Sequence, residues 1–178
     1  MNSYISLLKG VNVGGNRKLN MKEVKSAYEL FGLKDVKTVL QSGNILFKSD
    51  VNDTAVLENK IRIQLNKTFG IDTDILVLTK ETLQQIIDKC PWKDFSNMNT
   101  SHVFILFLFQ KPQNIDKALI ESKRKSNEEL HYTDNAVFMH CPDGMADSKL
   151  TTTLFEKALG AKNTARNWNT AGKILSLI

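Results

Sequence analysis

The sequence predicts an α+β protein in which one plan of strands and helices occurs twice in tandem. Two observations support this class. Short β-rich runs alternate with amphipathic helical segments in a similar order before and after about residue 100. The run VFILFLF, Val103 to Phe109, is apolar on both faces, as expected for the middle strand of a covered sheet. A chain of 178 residues can bury about two-thirds of its unfolded surface, so it needs no metal or disulfide to fold.

The first half is predicted to contain a strand, a helix, two strands, a helix and a strand. The strands are Tyr4 to Leu8, Val36 to Gln41, Asn44 to Lys48 and Thr73 to Leu78, and the helices are Met21 to Phe31 and Thr54 to Phe69. Asn20 and Glu23 form a variant of the capping box, and Gly70 ends the second helix. Ser42-Gly43 indicates a two-residue hairpin turn. This order is that of the ferredoxin-like, split βαβ unit.

The plan starts again after a connecting helix near Glu81 to Lys89. The predicted strands are His102 to Phe109, Glu129 to Thr133 and Ala136 to Cys141, and the helices are Asn114 to Lys125 and Ser148 to Leu159. A final helix, Thr164 to Leu177, takes the place of the expected last strand. We therefore predict ferredoxin-like halves at residues 1–79 and 102–178, joined by a linking helix and loop at 80–101. A single mixed sheet without a repeat is the alternative.

Charge is distributed unevenly along the chain. Residues 1–37 carry seven basic and three acidic side chains, residues 148–178 carry five and one, and the middle carries twelve and fifteen. If the two ends meet in the fold, their fields add and favour an anionic partner. The alternative is solvated lysine on helix faces.

The sequence is typical of a soluble cytoplasmic protein. Cys90 and Cys141 lie far apart and outside any CxxC pair, which favours a reduced compartment. The N-terminus does not resemble a signal peptide. The longest apolar run is shorter than the roughly 20 residues needed to span a bilayer, so no membrane partner is expected.

The connection from Gly10 to Asn20 is the first candidate site. In a ferredoxin-like sheet this loop and the hairpin tip QSGN, Gln41 to Asn44, emerge at the same end. The loop is longer than the about 2 to 6 residues that usually connect a strand to the following helix. Gly10, Gly14 and Gly15 let backbone N–H groups face a ligand, and Arg17 and Lys18 add positive charge. The spacing fits neither a Walker A loop nor a Rossmann fingerprint. A plain Ω-loop is the alternative.

The stretch NTARNWNTAGK near the C-terminus is the second candidate site. Arg166 is expected in the first turn of the last helix, where Asn163 or Thr164 serves as the cap. Its guanidinium can hold a phosphate or carboxylate, and Trp168 can stack on a base. The alternative for Trp168 is a core stripe shared with Gly172 and Leu175.

Catalytic and metal sites are weakly indicated. His131 and His140 fall on one face of the second hairpin, but no third ligand has a suitable spacing, so no metal is predicted. Cys141 and its neighbour His140 point to opposite faces of a strand. GxSxG and HExxH are absent, and NILFKS lacks the aromatic pattern of an RRM. No cofactor and no catalytic residue are predicted.

Three stretches, LLKGVNVGGN, QSGN and RNWNT, carry a family resemblance. With the segments around them, they resemble the bacterial family known as domain of unknown function 1697, over essentially the whole chain. The resemblance implies no activity, substrate or cofactor. It marks Lys9 to Asn16, Gln41 to Asn44 and Arg166 to Thr170 as the family's signature segments.

These observations favour a binding module for a phosphate-bearing ligand, either a nucleotide or a nucleic-acid backbone. The predicted ligand-binding residues are Lys9, Asn12, Gly14, Gly15, Arg17, Lys18, Gln41, Ser42, Asn44, Arg166, Asn167 and Trp168. An enzyme acting on a small anionic substrate is one alternative. The other is an interaction protein whose signature stretches are structural, so that their side chains hydrogen-bond one another.

Overall fold

The computed structural model describes residues 1–13 and 18–178, which form two compact units. Unit 1 comprises Met1–Gln84 and Lys173–Ile178, and unit 2 comprises Gln85–Gly172. The predicted ligand-binding residues Gly14, Gly15 and Arg17 lie outside the described residues.

Unit 1 contains a four-stranded antiparallel sheet with two helices packed on one face. Its elements are β1 (Asn2–Leu8), α1 (Met21–Leu30), β2 (Lys34–Val39), β3 (Asn44–Ser49), α2 (Thr54–Phe69) and β4 (Ile75–Thr79). The strand order is β2-β3-β1-β4, which is the ferredoxin-like order. Tyr4 and Phe47 of the sheet stack at 5.6 Å between ring centroids, within a core that includes Tyr28 of α1 and Leu57 of α2. The helix α3 (Lys80–Asp88) follows β4.

Local sequence explains where the helices of unit 1 begin and end. Asn20 accepts a hydrogen bond from the Lys22 N–H at the start of α1, and Asp53 accepts from the first N–H groups of α2. Gly70 ends α2 with a left-handed φ of 66°. Both bounds of α2 agree with the prediction.

Unit 2 repeats the plan. Its elements are β5 (Val103–Leu108), α4 (Lys117–Glu121), β6 (Glu129–Tyr132), β7 (Ala136–His140), α5 (Thr152–Leu159) and β8 (Asn163–Asn167), followed by α6 (Trp168–Leu177). The strand order β6-β7-β5-β8 matches that of unit 1. β5 pairs with both β7 and β8 and is therefore a central strand, as its apolar sequence predicts.

The structure confirms the α+β class with two tandem halves and a C-terminal helix, and two of its differences from the predicted elements concern the signature segments. The second sheet does contain a fourth strand, β8, where a helix was expected. Its sequence NTARN is polar and begins with two good helix-capping residues, so the sequence pattern favours the start of a helix. In the structure the segment is a strand whose side chains are mostly buried. The hairpin after β2 has a four-residue turn, because Val39 pairs directly with Asn44.

Candidate functional site: the loop pole of unit 1

One end of the unit 1 sheet brings together two of the three segments that the sequence singles out, the loop after β1 and the QSGN tip. We call this end the loop pole; its described residues are Lys9–Val13, Lys18–Asn20, Leu40–Asn44 and Asp72–Asp74. The Leu8 N–H donates to the Gly43 carbonyl at 2.8 Å, and the Lys9 N–H donates to the Asp74 carbonyl at 3.0 Å. The prediction that the loop after β1 lies beside the QSGN tip is therefore confirmed.

Asn12 ties the loop pole together with its carboxamide. Nδ2 donates to the Leu19 carbonyl at 3.0 Å and to the Gln41 carbonyl at 2.7 Å, while Oδ1 accepts from the Leu19 N–H at 2.8 Å. Both Nδ2 hydrogens are used in these bonds. Asn12 therefore closes the loop and fastens it to the hairpin tip, so its carboxamide N–H groups are committed to the protein itself.

Asn44 stabilises the turn of the hairpin in a similar way, through its carboxamide. Its side chain is fully buried, and Nδ2 donates to the Val39 carbonyl and to the Ser42 hydroxyl oxygen, each at 3.0 Å. These bonds span the four-residue turn and fix its shape. Two of the three described carboxamides in the signature of unit 1 thus stabilise the loops, while the Gln41 side chain is exposed.

Gly43 is required by the contact between the two loops. Its φ is +71°, and a Cβ atom built on it would lie 2.8 Å from the Leu8 Cβ and would overlap the Val11 side chain. Real Cβ atoms do not approach other carbons so closely. The absence of a side chain at Gly43 therefore allows the hairpin tip to pack against Leu8 and Val11.

Left-handed backbone is concentrated at the loop pole. Among the described residues, the non-glycine residues with positive φ are Asn12 at 55°, Asp35 at 51° and Leu40 at 60°. Two of these three belong to the loop pole, and Leu40 is a branched residue that gains nothing there by local hydrogen bonding. Such conformations persist only where the surroundings impose them, and they cluster at functional sites.

Charges of both signs surround the loop pole. Lys18 is exposed and Lys9 is half-buried, and both are basic. Asp72 and Asp74 precede β4, and the Thr73 hydroxyl donates to the Lys9 carbonyl at 2.6 Å. Asp72 is held by Arg62 of α2 in a two-point contact of 2.7 and 3.0 Å. Sequence reasoning missed this acidic segment, although its position just before β4 places it there in a ferredoxin-like unit.

The C-terminal signature lies in unit 2, whereas the loop pole lies in unit 1. Arg166 is buried in β8, and its Nη1 donates to the Thr164 hydroxyl at 2.8 Å and to the Ala165 carbonyl at 2.7 Å. Burial lowers the pKa of Arg166 to about 10. The expectation that Arg166 occupies the first turn of a helix is wrong, because β8 continues to Asn167.

The start of α6 differs from the prediction in the same way. Asn167, not Asn163 or Thr164, caps the helix, since its Oδ1 accepts from the Thr170 N–H at 2.9 Å. The Trp168 ring lies 4.9 Å from that of Phe95. The alternative of a core stripe shared by Trp168, Gly172 and Leu175 does not hold, since Gly172 is exposed while Ala171 and Ile174 are buried.

Two histidines of the second hairpin contact a carboxylate and an aromatic ring. His140 Nδ1 lies 3.4 Å from Glu129 Oε1, and the His131 ring faces that of Phe138. No group of three His, Cys, Asp or Glu side chains that could hold a metal occurs within residues 1–13 and 18–178. Cys90 and Cys141 are unbridged and buried, and burial raises the pKa of Cys141 to about 11. A thiol of that pKa is a poor nucleophile.

The fold and the signature segments define a protein built from two tandem ferredoxin-like halves with a braced loop pole. The chain belongs to the family described as "Protein of unknown function (DUF1697)", whose model matches residues 1–138. The match includes both signature segments of the loop pole and ends before Arg166.

A similar solved structure is that of conserved bacterial protein SP0830 from Streptococcus pneumoniae. The two chains are 23% identical with a TM-score of 0.68, and the likeness covers 99% of this chain and 98% of that one. At this identity the likeness shows the fold. None of the curated proteins compared with the chain matches it. No helix within the described part of the chain is long and apolar enough to cross a membrane.

Proposed function

We propose that the loop pole binds a phosphate-bearing ligand, either a nucleotide or a nucleic-acid backbone. The observation that supports this proposal is the bracing of two loops by the Asn12 carboxamide, combined with left-handed backbone at Asn12 and Leu40. A platform fixed by buried and internal hydrogen bonds loses little entropy when a ligand binds. Asn12 and Asn44 then shape the site, and other residues contact the ligand.

The ligand contacts are assigned to the half-buried Lys9 and to the exposed polar side chains of the pole. The ammonium groups of Lys9 and Lys18 attract phosphate oxygens, and the exposed Gln41 carboxamide can donate to them. Gly14, Gly15 and Arg17 stay predicted contacts. Asp72 opposes an anion less than its charge suggests, because Arg62 already neutralises it.

A thermal-shift screen of the full chain tests the proposal. Nucleotides, phosphorylated metabolites and short oligonucleotides are added at low and at high salt to the wild type, to Lys18→Gln and to Lys60→Gln. Lys60 is an exposed lysine on α2, so its substitution changes the net charge equally away from the site. A ligand should raise the Tm by mass action, and high salt should weaken the effect.

The variants decide between binding at the pole and general charge attraction. Lys18→Gln should reduce the ligand-induced rise in Tm, and Lys60→Gln should leave it unchanged. The proposal fails if no phosphate-bearing compound raises the Tm, or if the two variants reduce the rise equally.

An interaction protein with structural signature stretches is the second candidate function. It is favoured by the commitment of the Asn12 and Asn44 carboxamides to neighbouring backbone groups. In that case Asn12→Gly lowers the Tm, and no ligand in the screen changes it for any variant. A ligand effect that Lys18→Gln removes would exclude this candidate.

A further inference from the structure

A cavity of about 800 Å³ opens in unit 1 at the opposite end of the sheet from the loop pole. It lies where β1 begins and β3 ends, beside the second half of α1. Besides Tyr4, Leu177 and Ile178, its lining includes the polar residues Ser3, Lys25, Glu29, Asp35, Lys37 and Lys48. A volume of this size falls within the range of about 300 to 1,000 Å³ that is usual for small-molecule sites.

A β-bulge determines which lysines face this region. Lys34 pairs with Lys48, and Lys37 pairs with Leu46, so that β2 contains one residue more than β3 over this interval. In a regular strand, residues three apart point to opposite faces. The extra residue places Lys34 and Lys37 on the same face as Lys48. Bulges of this kind often re-aim side chains beside functional sites.

Asp35 lies within the bulge and has a left-handed backbone with φ at 51°. Its carboxylate contacts the Lys48 ammonium at 2.7 Å, and this contact holds the pKa of Asp35 below its usual range. Both side chains of the pair remain largely exposed, at 44% for Lys48 and 62% for Asp35. An ion pair so open to water is weak, so another anion can replace the carboxylate at small cost.

Among the side chains that line the cavity, lysines outnumber carboxylates by three to two. Lys25 contacts Glu29 at 3.6 Å, and Lys48 contacts Asp35, which leaves the ammonium group of Lys37 in excess of these two carboxylates. Lys34 and Lys48 are also directly opposed, and like charges in that position destabilise a sheet. Binding an anion would relieve this repulsion.

We propose that the cavity is a second ligand site that takes a small organic phosphate. Lys25, Lys37 and Lys48 hold the phosphate group, and the buried side chains of Val36 and Leu46 in the cavity wall contact the organic part. Asp35 competes with the phosphate for Lys48. This proposal is independent of the function proposed for the loop pole.

Titration of the full chain with phenyl phosphate tests this proposal. Isothermal calorimetry gives Kd, and NMR signals of the lysine side-chain methylene groups locate the ligand. Lys37→Gln should raise Kd about fivefold, as expected for loss of one solvent-exposed charge contact. Asp35→Asn should lower Kd, because it removes the competing carboxylate, and asparagine tolerates the left-handed backbone.

Two matched controls make the test specific. Lys60→Gln changes the net charge on α2, and Lys67→Gln changes it in the last turn of the same helix, so each should keep Kd within about twofold of the wild type. The proposal is overturned if the signals of Lys25, Lys37 and Lys48 do not move. It is also overturned if Asp35→Asn fails to lower Kd, or if either control matches the loss in Lys37→Gln.

Discussion

Gly43→Ala should destabilise the protein far more than Gly70→Ala does. Both glycines are in unit 1 and have left-handed backbones, with φ of 71° and 66°. They differ in their surroundings: a Cβ on Gly43 would meet the side chains of Leu8 and Val11, whereas a Cβ on Gly70 would have no heavy atom within 4 Å. The comparison therefore isolates the packing between the hairpin tip and the loop after β1.

The size of the difference follows from two separate costs. A left-handed alanine costs about 1 kcal/mol relative to glycine at either position. At Gly43 the Cβ atom would lie 2.8 Å from that of Leu8, and relieving such overpacking costs about 2 kcal/mol more. For a chain of this length, each 1 kcal/mol lowers Tm by about 2 to 4 °C. Gly43→Ala should thus lower the Tm by about 6 to 12 °C, and Gly70→Ala by about 2 to 4 °C.

Differential scanning calorimetry of both variants measures these shifts directly. Equal shifts would show that Leu8 and Val11 do not press on the hairpin tip in solution. That outcome would remove the packing on which the loop pole depends, and with it the argument for a rigid platform.

Three further predictions concern single groups. Asn12→Gly keeps the left-handed backbone and removes three hydrogen bonds, so chemical denaturation should show that the free energy of unfolding falls by about 2 kcal/mol. An unchanged denaturation midpoint would contradict the role of Asn12 in holding the two loops together. Burial raises the pKa of Glu58 above its ordinary 4.5, although its carboxylate accepts the Val77 N–H at 2.8 Å. The contribution of Glu58 to the free energy of unfolding is therefore most favourable below pH 4.5 and is lost as the pH rises through the folded-state pKa. Between pH 4 and 7, the Tm of the wild type should fall further than the Tm of Glu58→Gln. Parallel profiles of Tm against pH would contradict this. Cys90 and Cys141 should not react with a thiol reagent at pH 8 until the chain is unfolded, and rapid labelling of the native protein would disprove their burial.

The fold was predictable where apolar periodicity and helix caps agree. Asp53 and Gly70 delimit α2 chemically, so both of its bounds agree with the prediction. Strand β8 was missed because Asn163 and Thr164 are buried polar residues whose types favour helix caps. The helix α4 is shorter than the predicted Asn114 to Lys125, although Asp116 caps it. Pairing with β5 determines the conformation of β8, and one segment in isolation does not carry that information.

The loop pole was predictable in position but not in the roles of its residues. The order of strands places the glycine loop beside QSGN, and the structure confirms this. Sequence alone assigned Asn12 and Asn44 to ligand contacts, because a carboxamide has the same chemistry whether it faces a ligand or a backbone carbonyl. The left-handed conformation of Leu40 has no signal in its residue type, since leucine is unfavourable there.

The most direct test of binding at the loop pole is a map of backbone amide shifts in the full chain. Adenosine triphosphate and a short oligonucleotide are titrated into ¹⁵N-labelled protein at low salt, and the titration is repeated at high salt. The account predicts that shifts concentrate at Gly10, Asn12, Lys18, Gln41 and Ser42, and that they shrink at high salt. Absent shifts, or shifts centred on the exposed face of α2 around Lys60, would contradict it.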